Sequence, residues 1–145
     1  MPTLNYYLNA IGRCTTLYRT EALEGTGICA GDMPYLFHVC HHPGKTQDAI
    51  GAALYVNKTA VTRRITHLEE LGLLTREPDP EDRRALRVFP TERAMALLPR
   101  LGEINAAWHD VLTEGFSAEE AEQLRTLLIR ALQNARARID GEGKE

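Results

Sequence analysis

Apolar positions recur at helical spacing along most of the chain. Leu4, Leu8, Ile11, Thr15, Tyr18 and Ala22 share one face and predict a long first helix. Gly25, Gly27 and Gly31 interrupt the pattern and predict a loop. A second helix is predicted over Met33–His41, stopped by His42-Pro43-Gly44. Thr46 is placed to cap a short helix over 47–53 that buries Ile50 and Leu54. Tyr55-Val56 reads as a tight turn. Asn57 then caps a helix over 58–71, with Val61, Ile65 and Leu68 as its buried stripe. Gly72 supplies the stop, because a glycine takes positive φ without steric cost.

The period then changes. Residues 73–77 predict a short strand, 78–82 are turn chemistry, and 86–89 predict the return strand of a two-stranded hairpin. Pro90 should end it, since proline cannot donate to the ladder. Thr91 opens a long helix carrying Leu97, Leu98, Leu101, Ile104, Trp108, Val111 and Leu112, with a kink expected at Pro99. Ser117 and Glu120 form a capping box ahead of a last helix with Leu124, Leu127, Leu128, Leu132 and Ile139. Residues 141–145 are expected to fray. The expectation is a mainly α, α+β chain. A helix-turn-helix with a β-hairpin wing occupies 33–91, and long helices over 1–24 and 92–140 flank it. A chain of 145 residues with no linker reads as one domain.

Composition narrows the class. At 43% hydrophobic with mixed charge, the chain can bury a core and is not of disordered type. No apolar run approaches the roughly 18 residues of a membrane helix. The segment MPTLNYYLNAIGR lacks a basic region ahead of an apolar stretch, so no secretory signal is expected. Cys14, Cys29 and Cys40 are odd in number and lack CxxC spacing, which points to a reducing cytoplasm rather than a disulfide framework.

A net charge of −3 argues against a general nucleic-acid binder, but the charge is uneven. Residues 47–93 balance 8 basic against 8 acidic groups, while 94–145 carry 6 and 9. Two acid-free clusters stand out, Lys58, Arg63 and Arg64, and then Arg83, Arg84 and Arg87. They fit a DNA-reading face or an ordinary solvated surface equally well.

The helix over 58–71 decides what that face can do. Opposite its buried stripe lie Lys58, Thr59, Thr62, Arg63 and Thr66. Short hydroxyl side chains let a helix approach the floor of the major groove, and an arginine can hold a guanine edge bidentately. The positive helix end at Lys58 favours phosphate. Arg83 and Arg84 fall at the hairpin tip, where an arginine can enter a narrow minor groove.

From Tyr6 to about Ile139 the chain resembles the MarR-type winged-helix regulators, most specifically over 46–91, TQDAIGAALYVNKTAVTRRITHLEELGLLTREPDPEDRRALRVFPT. The DPEDRR run is similar to that family's wing-tip signature. The resemblance implies that Arg84 inserts in the minor groove, that Asp82 orients it, and that 58–66 form the reading helix. Two departures are Pro90, where an apolar strand residue is usual, and Ala94, where a glycine is common. The resemblance also implies a cytoplasmic homodimer that reads an inverted-repeat operator in double-stranded DNA. It further implies a repressor answering to a small aromatic or phenolic effector, with no cofactor. Two reading helices about 34 Å apart are what a palindrome requires. Leu124, Leu128, Leu132 and Ile139 are the expected part of the dimer interface, against the alternative that they are intrachain core.

Three sensing ideas arise. Cys14-Thr15-Thr16-Leu17-Tyr18 resembles the first-helix stretch of the organic-peroxide-sensing branch, but the accompanying tyrosines are out of register, with Ala30 and Met33 at those positions. Cys14 is thus either a redox site or a small half-buried helix residue. His38 and His42 have an i, i+4 ligand spacing, yet His42 adjoins a helix stop, and no metal site is expected. Trp108 and His109 can line a crevice, with core as the alternative for Trp108. No Gly-rich phosphate loop, GxSxG or HExxH is present, and Asp79, Glu81 and Asp82 sit on a solvated turn, so no enzyme is expected. The remaining rival is a winged-helix module that binds protein instead of DNA.

Overall fold

Thr3 begins the first helix, α1 (Leu4–Ala22), by accepting a hydrogen bond from the Tyr6 amide at 3.3 Å. The computed structural model describes residues 1–142. In order, the further elements are α2 (Met33–His41), β1 (Lys45–Thr46), α3 (Gln47–Leu54) and α4 (Lys58–Glu70). After them come β2 (Leu74–Pro78), β3 (Leu86–Pro90), α5 (Glu92–Leu112) and α6 (Ala118–Glu142). The chain divides into two compact units, Met1–Trp108 and a second that begins at His109.

The first unit holds the core. Met33, Leu36 and Val39 of α2, Ile50 of α3, Val61, Ile65 and Leu68 of α4, and Leu73, Leu74 and Val88 around the sheet are all fully buried. Leu101 and Ile104 of α5 join this cluster. Such burial stabilises by about 1.5–3 kcal/mol per large aliphatic side chain. It fixes α4 by the stripe that its sequence period announces. α1 has no buried residue of its own. Polar and aromatic contacts tie it to α5: Trp108 Nε1 donates to Thr15 Oγ1 at 2.8 Å, Tyr18 stacks on Trp108 at 4.7 Å, and Arg19 donates to Asn105 at 3.1 Å.

Several expectations need correcting. The sheet has three antiparallel strands, in the order β1-β3-β2, not two. β1 is two residues long, too short for any periodicity to reveal. Gly44 aims it, taking φ +86° and donating its amide to Val88 at 2.8 Å. Pro90 does not end β3 early. It is the last strand residue and pairs with Leu74, a terminal position where a missing N–H costs little. Gly31 belongs to a single 3-10 turn, Ala30–Asp32, not to a loop. Leu54 is half-buried.

In the second unit, Ser117 and Glu120 cap α6 reciprocally at 2.9 and 3.1 Å, as their spacing predicts. None of its described side chains is buried. α6 extends through Gly141 and Glu142, into the segment expected to fray, and 143–145 lie outside the described residues.

Candidate nucleic-acid interface

The turn between α3 and α4 is held by close backbone packing. Tyr55 adopts the left-handed conformation at φ 57°, and the Val56 amide donates to Gly51 at 2.9 Å. A Cβ on Gly51 would stand 2.9 Å from the Val56 carbonyl oxygen and 3.1 Å from Val61 Cγ2. Only glycine lets α3 and α4 meet this tightly. Thr46 Oγ1 caps α3 through the Ala49 amide, and Asn57 Oδ1 caps α4 through the Ala60 amide.

On α4, Lys58, Thr59, Thr62 and Arg63 are exposed and Thr66 is half-buried. The Thr62 hydroxyl is already engaged, donating to the Lys58 carbonyl at 3.0 Å and accepting from Gln47 Nε2 at 3.2 Å. At the hairpin tip, Arg83 and Arg84 are exposed, and the Arg84 side chain is 98% accessible. Local hydrogen bonds shape this tip. Asp79 accepts from the Glu81 amide at 2.9 Å, and Asp82 Oδ1 accepts from the Arg84 amide at 3.1 Å. Asp82 Oδ1 also lies 3.9 Å from Arg84 Nε. Lys58 and Arg84 line one small cleft of about 60 Å³, together with Thr46, Gln47 and Asp48, so the start of α4 and the wing tip are neighbours.

The structure separates the two arginine clusters into solvated and structural members. Arg64 turns inward and donates to the fully buried Asp32 at 3.0 Å. Arg87 donates to the Gly44 carbonyl at 2.9 Å and lies 5.3 Å from the Phe89 ring centroid. Both are spent on the scaffold, which leaves Lys58, Arg63, Arg83 and Arg84 as the solvated members of the two clusters. Arg76 was given no role by the sequence. It forks onto Glu69 at 2.9 and 3.2 Å and reaches Gln47 at 3.2 Å, joining β2 to α4 and α3. That hydrogen bonding holds the Glu69 carboxyl below its ordinary range.

The candidate sensor residues are scattered. Cys14 is exposed, which corrects the half-buried alternative. Trp108 is half-buried and engaged with α1, not part of the core. The His38 and His42 rings lie 5.0 Å apart, and among the described residues no third ligand joins them. Burial, then His42 and Lys45, lowers the His38 proton affinity. Periodicity and motif spacing gave no hint of a third grouping, Cys29, Asp32 and His67, because it spans two elements and a loop.

A helix-turn-helix with a cation-tipped hairpin beside its second helix defines the winged-helix class. Residues 27–85 match the sequence profile of the MarR family. An HTH-type transcriptional regulator of Bacillus subtilis strain 168, YybA, is 30% identical over 104 residues, covering 72% of this chain and 69% of its own. A crystal structure of MarR superposes with a TM-score of 0.90 at 27% identity, over 97% of this chain and 95% of that one. A putative MarR family regulator from Listeria monocytogenes, solved in complex with a 26mer DNA, shares the fold. Its TM-score is 0.86 at 23% identity, over 94% of this chain and 91% of that one. The chain belongs to the MarR family, whose members are transcriptional regulators and not enzymes.

Proposed function

We propose that this protein is a homodimeric, ligand-responsive repressor that reads an inverted-repeat operator in double-stranded DNA. Its α4 would enter the major groove and its β2–β3 wing the adjacent minor groove. The observation that carries this reading is the joint exposure of Lys58, Thr59 and Arg63 on α4 beside the fully solvated Arg84 at the wing tip. In this role Arg63 reads a base edge, the hydroxyls of Thr59 and Thr66 touch bases or phosphates, and Lys58, Arg83 and Arg84 meet the backbone or the minor groove. Thr62 takes part through its methyl group, its hydroxyl being engaged within the protein. Asp82 orients the tip that presents Arg84. The DNA complex of the Listeria regulator supports the assignment through a shared fold.

Pairing follows from α6. Leu124, Leu128, Leu132 and Ile139 are 39–55% exposed, and the first three line an apolar groove of about 330 Å³ together with Leu112. A second copy covers this surface and sets the spacing of the two reading helices. A small aromatic or phenolic effector that alters that spacing would release the operator. No helix among the described residues is long and apolar enough to cross a membrane, and the cytoplasm is the compartment where this reading places the protein.

The test is selection of bound sequences from a random duplex pool, followed by binding at increasing salt. An inverted repeat, with affinity falling steeply as salt rises, is expected. No enrichment, together with salt-insensitive capture of a protein partner, would replace the DNA reading with an interaction module.

A further inference from the structure

Cys29, Asp32 and His67 bring a thiol sulfur, a carboxylate oxygen and an imidazole nitrogen within 4.8 Å of one another. Asp32 is fully buried and already oriented. Its Oδ1 accepts from Arg64 at 3.0 Å, and its Oδ2 accepts from the Cys29 amide at 2.7 Å. Its Oδ2 also lies 3.5 Å from His67 Nε2. His67 Nε2 is a buried atom that makes no hydrogen bond there, and a polar atom left so costs about 1–3 kcal/mol unless something else binds it. Beside these groups is a cavity of about 360 Å³, lined by Cys29, Ala60, Arg63, Arg64 and His67.

We propose that Cys29, Asp32 and His67 form a binding site for a zinc-type divalent cation. One sulfur, one nitrogen and one oxygen ligand is a set that suits a borderline-soft ion, and the adjoining cavity leaves room for a water at a fourth position. Ligand atoms around tetrahedral zinc stand about 3.3–3.8 Å apart, so the three groups need to close by roughly 1 Å. Cys29 and His67 are not fully buried and can turn. Arg64 on the other carboxylate oxygen fixes the orientation of Asp32, as outer-shell partners do at metal sites. The bound ion would fasten α4, through His67, to the segment ahead of α2. This proposal does not rest on the DNA reading, although Arg63 lines the same cavity.

The experiment titrates the purified full-length protein with Co²⁺ and then displaces it with Zn²⁺ against a chromophoric chelator. One Co²⁺ per chain is expected, with a thiolate-to-cobalt charge-transfer band in the near ultraviolet. Cys29→Ser should abolish the band, and His67→Gln should weaken binding by about tenfold or more. Cys14→Ser and the His38→Gln/His42→Gln double variant should leave both unchanged. Since Cys29 and His67 reach the surface, their variants are expected to fold, and circular dichroism checks this. Absence of stoichiometric binding overturns the proposal. So does a band that survives in folded Cys29→Ser, or binding that disappears with His38 and His42.

Discussion

The Asp32 carboxylate, fully buried, and the Arg64 guanidinium, about one-third exposed, lie 3.0 Å apart across 32 positions of sequence. The pair joins the segment ahead of α2 to the middle of α4. Gly31 lets the arginine lie flat there, because a Cβ on Gly31 would fall 2.7 Å from Arg64 Nη2. Removing the carboxylate strands the Cys29 amide, while Arg64 can still reach water. Asp32→Ala should therefore cost about 1–3 kcal/mol, less than stranding a wholly buried charge. Urea denaturation measures it, and a change under about 0.5 kcal/mol would mean that the pair does little to hold α4.

Gly51→Ala tests the turn that aims α4. The added methyl meets a backbone oxygen at 2.9 Å and Val61 at 3.1 Å, and neither neighbour can swing aside as a flexible side chain does. Overpacking of this kind costs about 1–3 kcal/mol. Thermal melting should show a lowered midpoint. Ala52, exposed one position later on the same helix, is the control: Ala52→Ser should be within about 0.5 kcal/mol of the parent.

The Glu69–Arg76 fork gives a prediction about pH. Glu69's folded-state pKa is depressed, first by the hydrogen bond from Arg76. Its stabilisation is therefore complete above the unfolded carboxylate value of about 4.3 and is lost as pH falls through the lower folded value. Because the Glu69 side chain is 39% exposed, solvent screening keeps the contribution below about 1 kcal/mol. Glu69→Gln should lose that amount at neutral pH and flatten the acid side of the stability profile. An unchanged acid slope would show that the fork does not outlive solvent competition.

Much of this architecture was legible in the order of residues. The α4 stripe, the caps at Thr46, Asn57 and Ser117, and the stop at Gly72 are local signals, and each lies where its chemistry places it. What escaped is non-local. β1 takes its identity from β3, which lies 41 residues on, and two residues have no period. Charge counting could not tell Arg64 and Arg87 from Arg63 and Arg84, because the difference lies in Asp32 and Gly44, remote in sequence. The Cys29–Asp32–His67 grouping was hidden for the same reason.

Arg84→Ala separates binding from folding. The side chain is almost wholly solvated, with Asp82 3.9 Å away, so its loss should leave the urea midpoint unchanged. On the selected operator, affinity should fall by about tenfold, as expected for loss of one minor-groove contact worth about 1–3 kcal/mol. Fluorescence anisotropy with a labelled duplex reads this directly. Full retention of affinity would take the wing out of the interface. A protein unfolded by circular dichroism would show that the tip is structural.

The paired reading makes its strongest demand on α6. Leu128 and Leu132, one turn apart, are 44% and 47% exposed on a helix that buries none of its described side chains within its own chain. In a two-fold interface each residue recurs on the facing copy, so one substitution acts twice. Leu128→Glu/Leu132→Glu would place four carboxylates in an apolar contact, a penalty of several kcal/mol for desolvation and repulsion. The same glutamates on a monomer stay in water and favour helix. Light scattering should therefore report a monomer whose helical circular dichroism is retained. Operator affinity should drop by about 100-fold or more, because the second half-site is no longer bound from within one particle. If the variant stays dimeric with α6 helical, these leucines are not the seam, and the copies meet along another face.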